Sequence, residues 1–195
     1  MPELFYLRKN VLTHEECSLL AEYIENNSGE DYRPHYRHTG MLFQDVITGN
    51  IPAEMVPIQR ALRVANKTFI NNYEFTYNHF EIKRLFGNVM YEGAENEPHD
   101  DDGDVYPGKT HIEEHYSAIL MLNSEYTGGE LFFEHKGVEV RLEAGDLIMF
   151  RGNAENLHGV RKVFSGKRIN VIIFFRNFDL QQPYDSDIWK DFIES

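Results

Sequence analysis

Cysteine occurs once in the 195 residues, at Cys17, so no disulfide can close within the chain and nothing calls for an oxidising compartment. Positive charge is also scarce. Lys and Arg number 19 against 32 Asp and Glu, a formal net charge of −13, and no basic run is longer than a Lys-Arg pair. The field of such a molecule repels polyanions, which disfavours a nucleic-acid partner, and acidity of this kind serves solubility first. Long apolar runs are missing, so no membrane-spanning segment is expected. The opening MPELFYLRKN carries Glu3, Arg8 and Lys9 around an apolar patch too brief for a secretory signal, and reads as a first strand. The expected location is the cytosol. There is no internal repeat, and the acidic cluster Asp100-Asp101-Asp102-Gly103-Asp104 is the one segment of biased composition. What is present, 42% hydrophobic and 13% aromatic residues in many short runs, is the composition of a globular protein with a real core.

The length suits a single domain over 1–195, with a helical support region at 1–72, a β core at 73–178 and a tail at 179–195. Thr13-His14-Glu15-Glu16 has capping-box spacing and predicts a helix from about Thr13 to Asn26, with Cys17, Leu20, Ala21 and Ile24 on one stripe. Residues 28–50 show no clean period and read as a loop or irregular strands. Pro52 opens a second expected helix, to about Asn71, in which Met55, Ile58, Leu62, Ala65 and Phe69 recur at helical spacing. From Tyr73 on, short runs between turn residues predict antiparallel strands at 74–86, 88–94, 115–123, 130–134, 138–142, 146–150, 159–164 and 168–177, with turns at Gly87-Asn88, Thr127-Gly128-Gly129, Lys136-Gly137 and Ala144-Gly145-Asp146. The predicted class is mainly β with supporting helices (α+β): a double-stranded β-helix, or jelly roll, with the N-terminal helices on one sheet.

His99 and Asp101 stand two residues apart, and on extended backbone residues i and i+2 point to the same side, so both can reach one metal ion. His158, at the start of an apolar strand, is the best third ligand. Two histidines and a carboxylate on one face of an iron leave positions for a chelating co-substrate and oxygen. Asp100 and Asp102 are rivals for the carboxylate, and the spacing favours Asp101. Singly, a His-x-Asp triplet is usually solvated and a strand histidine usually belongs to a core. Arg168 changes the balance, because an arginine heading the apolar run Ile169 to Phe175 needs an anionic partner if it points inward. Its planar fork suits the far carboxylate of 2-oxoglutarate. His111 and His115 follow a charged loop and are expected to face solvent or line an entrance, while His14, His35, His38, His79 and His135 read as surface residues. Residues 103–114 read equally as a lid over the site or as a solvated loop.

With these motifs the chain resembles the 2-oxoglutarate/Fe(II) dioxygenase superfamily and, within it, the prolyl 4-hydroxylase-like branch. Val89-Met90-Tyr91-Glu92-Gly93, Ser117 to Asn123 followed by Gly128-Gly129-Glu130-Leu131, and His158-Gly159-Val160 with Arg168 carry the resemblance. It implies catalytic iron ligands His99, Asp101 and His158, with Arg168, Tyr91 and Ser117 around 2-oxoglutarate. It further implies Fe(II) as the cofactor and 2-oxoglutarate and O2 as co-substrates, with ascorbate as the reductant that restores oxidised iron. Arg168 stands where collagen-type members usually carry lysine. The reaction implied is hydroxylation of a prolyl residue in a peptide or protein substrate. A free amino acid or small metabolite is the second substrate class, nucleobase demethylation is disfavoured by charge, and a non-catalytic binding or sensor domain on the same barrel is the reading from another class.

Overall fold

The computed structural model describes residues 3–29, 38–42, 53–77, 79–101 and 113–178. Helix α1 is His14–Asn27, and its start is the capping box expected from Thr13 and Glu16. The Glu16 N–H donates to Thr13 Oγ1 at 3.2 Å, and the Thr13 N–H donates to Glu16 Oε2 at 2.8 Å. Cys17, Leu20, Ala21 and Ile24 are its buried stripe. Helix α2, Val56–Asn72, begins later than Pro52 predicts: a single 3-10 turn at Ala53–Met55 precedes it, and Pro57 occupies the first turn, where a missing N–H costs nothing. Pro52 itself lies outside the described residues.

The strands are β1 Tyr6–Arg8, β2 His38–Leu42, β3 His79–Met90, β4 Asn96–His99, β5 Glu113–Met121, β6 Tyr126–Gly128, β7 Leu131–Phe133, β8 Val138–Val140, β9 Leu147–Arg151, β10 His158–Val160, β11 Val163–Gly166 and β12 Arg168–Phe178. A six-stranded sheet runs β1-β9-β5-β12-β3-β2 and a four-stranded one β4-β10-β7-β8, while β11 pairs with β6. The pairings within each sheet are antiparallel. This is the helix-supported double-stranded β-helix.

Side-chain alternation along the large sheet assigns its two faces. On β12, Ile169, Val171, Ile173 and Phe175 pack in one core with the stripes of α1 and α2, as do Tyr116, Ala118 and Leu120 of β5. Arg168, Asn170, Ile172 and Phe174 point the other way, with Ser117 and Ile119, and line a cavity that opens on that face. The helices thus cover one side of the sheet and leave the other for chemistry.

Two expectations about strand limits are corrected. Gly87-Asn88 is no turn; it lies inside β3, where Gly87 faces Val171 on β12 and Met41 on β2. Ladder bonds on both sides outweigh the local turn propensity of the pair. The run 159–164 is not one strand but two, because the Arg161 and Val163 N–H groups turn away to the carbonyls of Glu130 and Ala94.

Candidate metal centre and its cavity

His99 closes β4 and His158 opens β10, and the two are cross-strand partners in the four-stranded sheet. Their ring centroids are 4.6 Å apart. Asp101, two residues past His99, brings its Oδ1 to 3.8 Å from His99 Nε2 and its Oδ2 to 3.4 Å from His158 Nε2. One donor atom from each of the three residues lies within 4.8 Å of the other two. Asp100 does not join them, and Asp102 lies outside the described residues.

Each histidine is held through its other nitrogen. His99 Nδ1 is 2.8 Å from Glu97 O and His158 Nδ1 is 3.1 Å from Asn156 O. A carbonyl oxygen only accepts, so both Nδ1 atoms carry the proton and both Nε2 atoms present lone pairs to the same point. His158 is 4% exposed, and burial lowers its pKa, against the opposing pull of the Asp101 charge. It therefore stays a neutral ligand to lower pH than an ordinary histidine. Asp101 has its N–H on Gly152 O at 2.9 Å, and its Oδ2 accepts a short bond from the Ser117 hydroxyl.

At the other end of the cavity, Arg168 is 1% exposed. Its Nε donates to Gly129 O at 3.1 Å and its Nη1 to Asn170 Oδ1 at 2.7 Å, while Nη2 and the Asn170 Nδ2 have no hydrogen-bond partner among the described residues. Gly129 has φ +68°, and a Cβ there would stand 3.1 Å from Arg168 Cδ, so glycine serves both the turn and the close approach of the arginine stem. No described carboxylate pairs with Arg168. Burial works against its charge, yet a guanidinium does not deprotonate in proteins. An unpaired buried charge costs several kcal/mol, and a bound anion offering two acceptor oxygens would remove that cost.

A cluster of two imidazoles and a carboxylate suits a divalent transition metal with open positions, and a buried cation in the same cavity suits a dicarboxylate that chelates the metal with its other end. The residues present therefore fit Fe(II) and 2-oxoglutarate. Two further residues expected around 2-oxoglutarate have their hydroxyls on other groups of the chain. Tyr91 follows the end of β3, is 38% exposed, has its hydroxyl 3.3 Å from Thr39 Oγ1, and does not line the cavity. Asn88, inside β3, lines the cavity, and Met90 at the same parity has its Sδ 3.7 Å from Arg168, which leaves Tyr91 out of step with the inward positions. Ser117 does line the cavity, but its hydroxyl goes to Asp101 rather than to an anchor beside Arg168. It faces Phe174 across the ladder, six residues and so about 20 Å of strand from Arg168.

His115 is a correction: it is 5% exposed rather than facing solvent, because Asp101 and the charged groups of neighbouring strands enclose its ring. His14 and His135 are exposed as expected. His35, His111 and most of the 103–114 segment lie outside the described residues, and Glu113 and Glu114 belong to β5. The sequence reading overlooked Asn170 and Asn88, whose side chains meet at 3.4 Å behind Arg168. Asn170 was detectable as a polar residue of the same parity as Arg168 in an apolar strand; Asn88 was hidden in an apparent turn.

Residues 86–176 match the 2OG-Fe(II) oxygenase superfamily. Human prolyl 3-hydroxylase 2 is 35% identical over 65 residues, a stretch that makes up 31% of this chain and 9% of that protein. The chain thus spans about a tenth of the length of the curated relatives it matches. Among solved structures, the viral collagen prolyl hydroxylase of Paramecium Bursaria Chlorella virus-1 in complex with 2OG aligns with a TM-score of 0.72 at 15% identity, covering 90% of this chain and 96% of the other. A Pseudomonas putida prolyl-4-hydroxylase aligns with a TM-score of 0.66 at 16% identity, covering 89% and 92%. These structural likenesses carry the fold, and the matched segment contains His99, Asp101, His158 and Arg168.

Proposed function

On the premise of that superfamily likeness, we propose that the chain is a 2-oxoglutarate-dependent dioxygenase that hydroxylates a prolyl residue in a peptide or protein. The observation that carries the cofactor assignment is the buried Arg168 Nη2, without a hydrogen-bond partner among the described residues, in the cavity that also holds the three-donor cluster. The prolyl substrate is supported by the names of relatives on both sides of the comparison, prolyl 3-hydroxylases in sequence and collagen or prolyl 4-hydroxylases in structure.

His99, Asp101 and His158 would hold the iron, and Arg168 with the free amide N–H of Asn170 would take the far carboxylate of 2-oxoglutarate. Bound there, the metal and co-substrate would use O2 to couple oxidative decarboxylation of 2-oxoglutarate to succinate and carbon dioxide with hydroxylation of a C–H bond, one oxygen atom going to succinate and one to the product. The chain's own part is positional. Arg168 fixes one end of the co-substrate so that its 2-oxo acid end is presented to the ligand cluster. The apolar walls Ile119, Phe150, Ile172 and Phe174 keep bulk water from the space between. His99, half-exposed beside the buried His158, marks the side from which a substrate side chain approaches.

The test is anaerobic titration with Fe(II) and 2-oxoglutarate, followed by succinate release with proline-containing peptides. A visible charge-transfer band in wild type that is absent in His99→Ala is expected, and peptide-dependent succinate should follow. Lack of the band in folded wild type would remove the cofactor assignment. A band without peptide-dependent turnover would remove the prolyl substrate alone.

A further inference from the structure

We infer that His115 is a positioning residue for Asp101, an inference that rests on the metal-centre reading above. Asp101 lies beyond the last residue of β4, so no strand ladder fixes its backbone. A ring of three hydrogen bonds does so instead. The Asp101 N–H donates to Gly152 O at 2.9 Å, the Gly152 N–H donates to His115 O at 2.9 Å, and His115 Nδ1 lies 2.6 Å from Asp101 O. Three segments distant in sequence meet here, and the imidazole is the one side chain in the ring. The packing is close: a Cβ on Gly152 would come within 2.8 Å of Asp101 Cβ and 3.1 Å of Ser117 Oγ, so glycine is what lets the ring close.

The chemistry of the imidazole settles which nitrogen acts. Nδ1 faces a carbonyl, which only accepts, so Nδ1 carries the proton. Nε2 lies 3.2 Å from Lys83 Nζ and 3.2 Å from Glu113 Oε1. With Nδ1–H directed at the Asp101 carbonyl, Nε2 can accept from the lysine ammonium. Glu113 is itself bound by Lys83 at 3.2 Å and Arg176 at 3.4 Å, and residues of β3, β5 and β12 thereby fix the plane of the ring. Ser117 steadies the Asp101 carboxylate and His115 steadies the backbone that carries it.

The experiment compares His115→Asn with His115→Gln, using Mn(II) as an oxygen-stable probe in the presence of 2-oxoglutarate. Asparagine places an N–H donor close to the position of Nδ1, whereas glutamine places it near Nε2. Supporting groups around metal ligands govern affinity by roughly ten- to a hundredfold. Mn(II) binding about tenfold or more weaker in the glutamine variant, and close to wild type in the asparagine variant, is expected. Equal affinity in both variants, whether retained or lost, overturns the inference while wild-type binding leaves the metal-centre reading intact. Wild type that fails to bind Mn(II) removes both. Nitrogen NMR of His115 in the metal-free wild type gives a measurement that needs no variant to fold. A protonated Nδ1 is expected, and a bare Nδ1 overturns the inference.

Discussion

Arg168 keeps a full positive charge with one nitrogen unmatched by any described group, and its neighbours show how that is tolerated. Gly129 O and Asn170 Oδ1 accept from two of its three nitrogens and hold the plane of the guanidinium. Arg168→Gln should therefore leave Mn(II) binding nearly intact while raising the 2-oxoglutarate KM by about 10- to 100-fold, the loss of a charge-assisted pair at roughly 1.5–3 kcal/mol. Arg168→Lys should fall between, because a point charge does not reproduce the planar fork. Steady-state kinetics with metal titration on the same samples separates the two effects, and an unchanged KM in Arg168→Gln would remove the anchor. Arg168 was legible in the sequence because a charge in an apolar strand demands a reason. Tyr91 was drawn from a motif match instead; it follows the last residue of β3 and sets its hydroxyl beside Thr39, while the neighbouring Met90 meets Arg168.

Among the elements, α1 was legible nearly to the residue, since its cap is local chemistry among four consecutive residues. Glu16 has a second role, accepting two bonds of 2.8 Å from Arg60 on α2, so the cap also ties the two helices together. Thr13→Ala should cost about 1 kcal/mol in urea unfolding, with no change in metal or 2-oxoglutarate affinity because α1 lies across the sheet from the cavity. Strand limits were less legible. Gly87 and Asn88 carry turn propensity, yet two flanking strands determine their conformation, and that pairing is a property of residues 41 and 171 that no local window contains. The break between β10 and β11 is likewise set by carbonyls of Ala94 and Glu130.

On the scale of the whole molecule, the layer between helices and sheet holds titratable groups that ionise only at a penalty. The Cys17 thiol is fully buried, and loss of hydration pushes its pKa up to about 11 from an ordinary 9.0. Burial raises the Tyr73 and Tyr116 phenols too. From about pH 9 to 11 an unfolded chain has released the thiol proton that the folded chain retains, so the unfolded state binds fewer protons and stability falls as pH rises through that window. Below it the thiol contributes no slope. Urea midpoints measured from pH 8 upward should fall less steeply for Cys17→Ala than for wild type, and parallel curves would show that the thiol is not the group responsible. The global order of helices before an antiparallel barrel was legible from the switch in apolar period near Tyr73. The contributions of β1 and β2 to the edges of the large sheet were less so, because short edge strands carry little pattern of their own.

The alternation along β12 has a consequence for how such a protein can change. Even-numbered positions from Arg168 to Phe174 face the cavity and odd-numbered ones from Ile169 to Phe175 face the helices. One strand is thus a party wall between two tenants with separate requirements. Substitutions at Ile172 and Phe174 can drift to admit a differently shaped guest while Arg168 and Asn170 keep their anchoring place and the odd side, left untouched, keeps the building standing, so new specificity need not await a more robust scaffold.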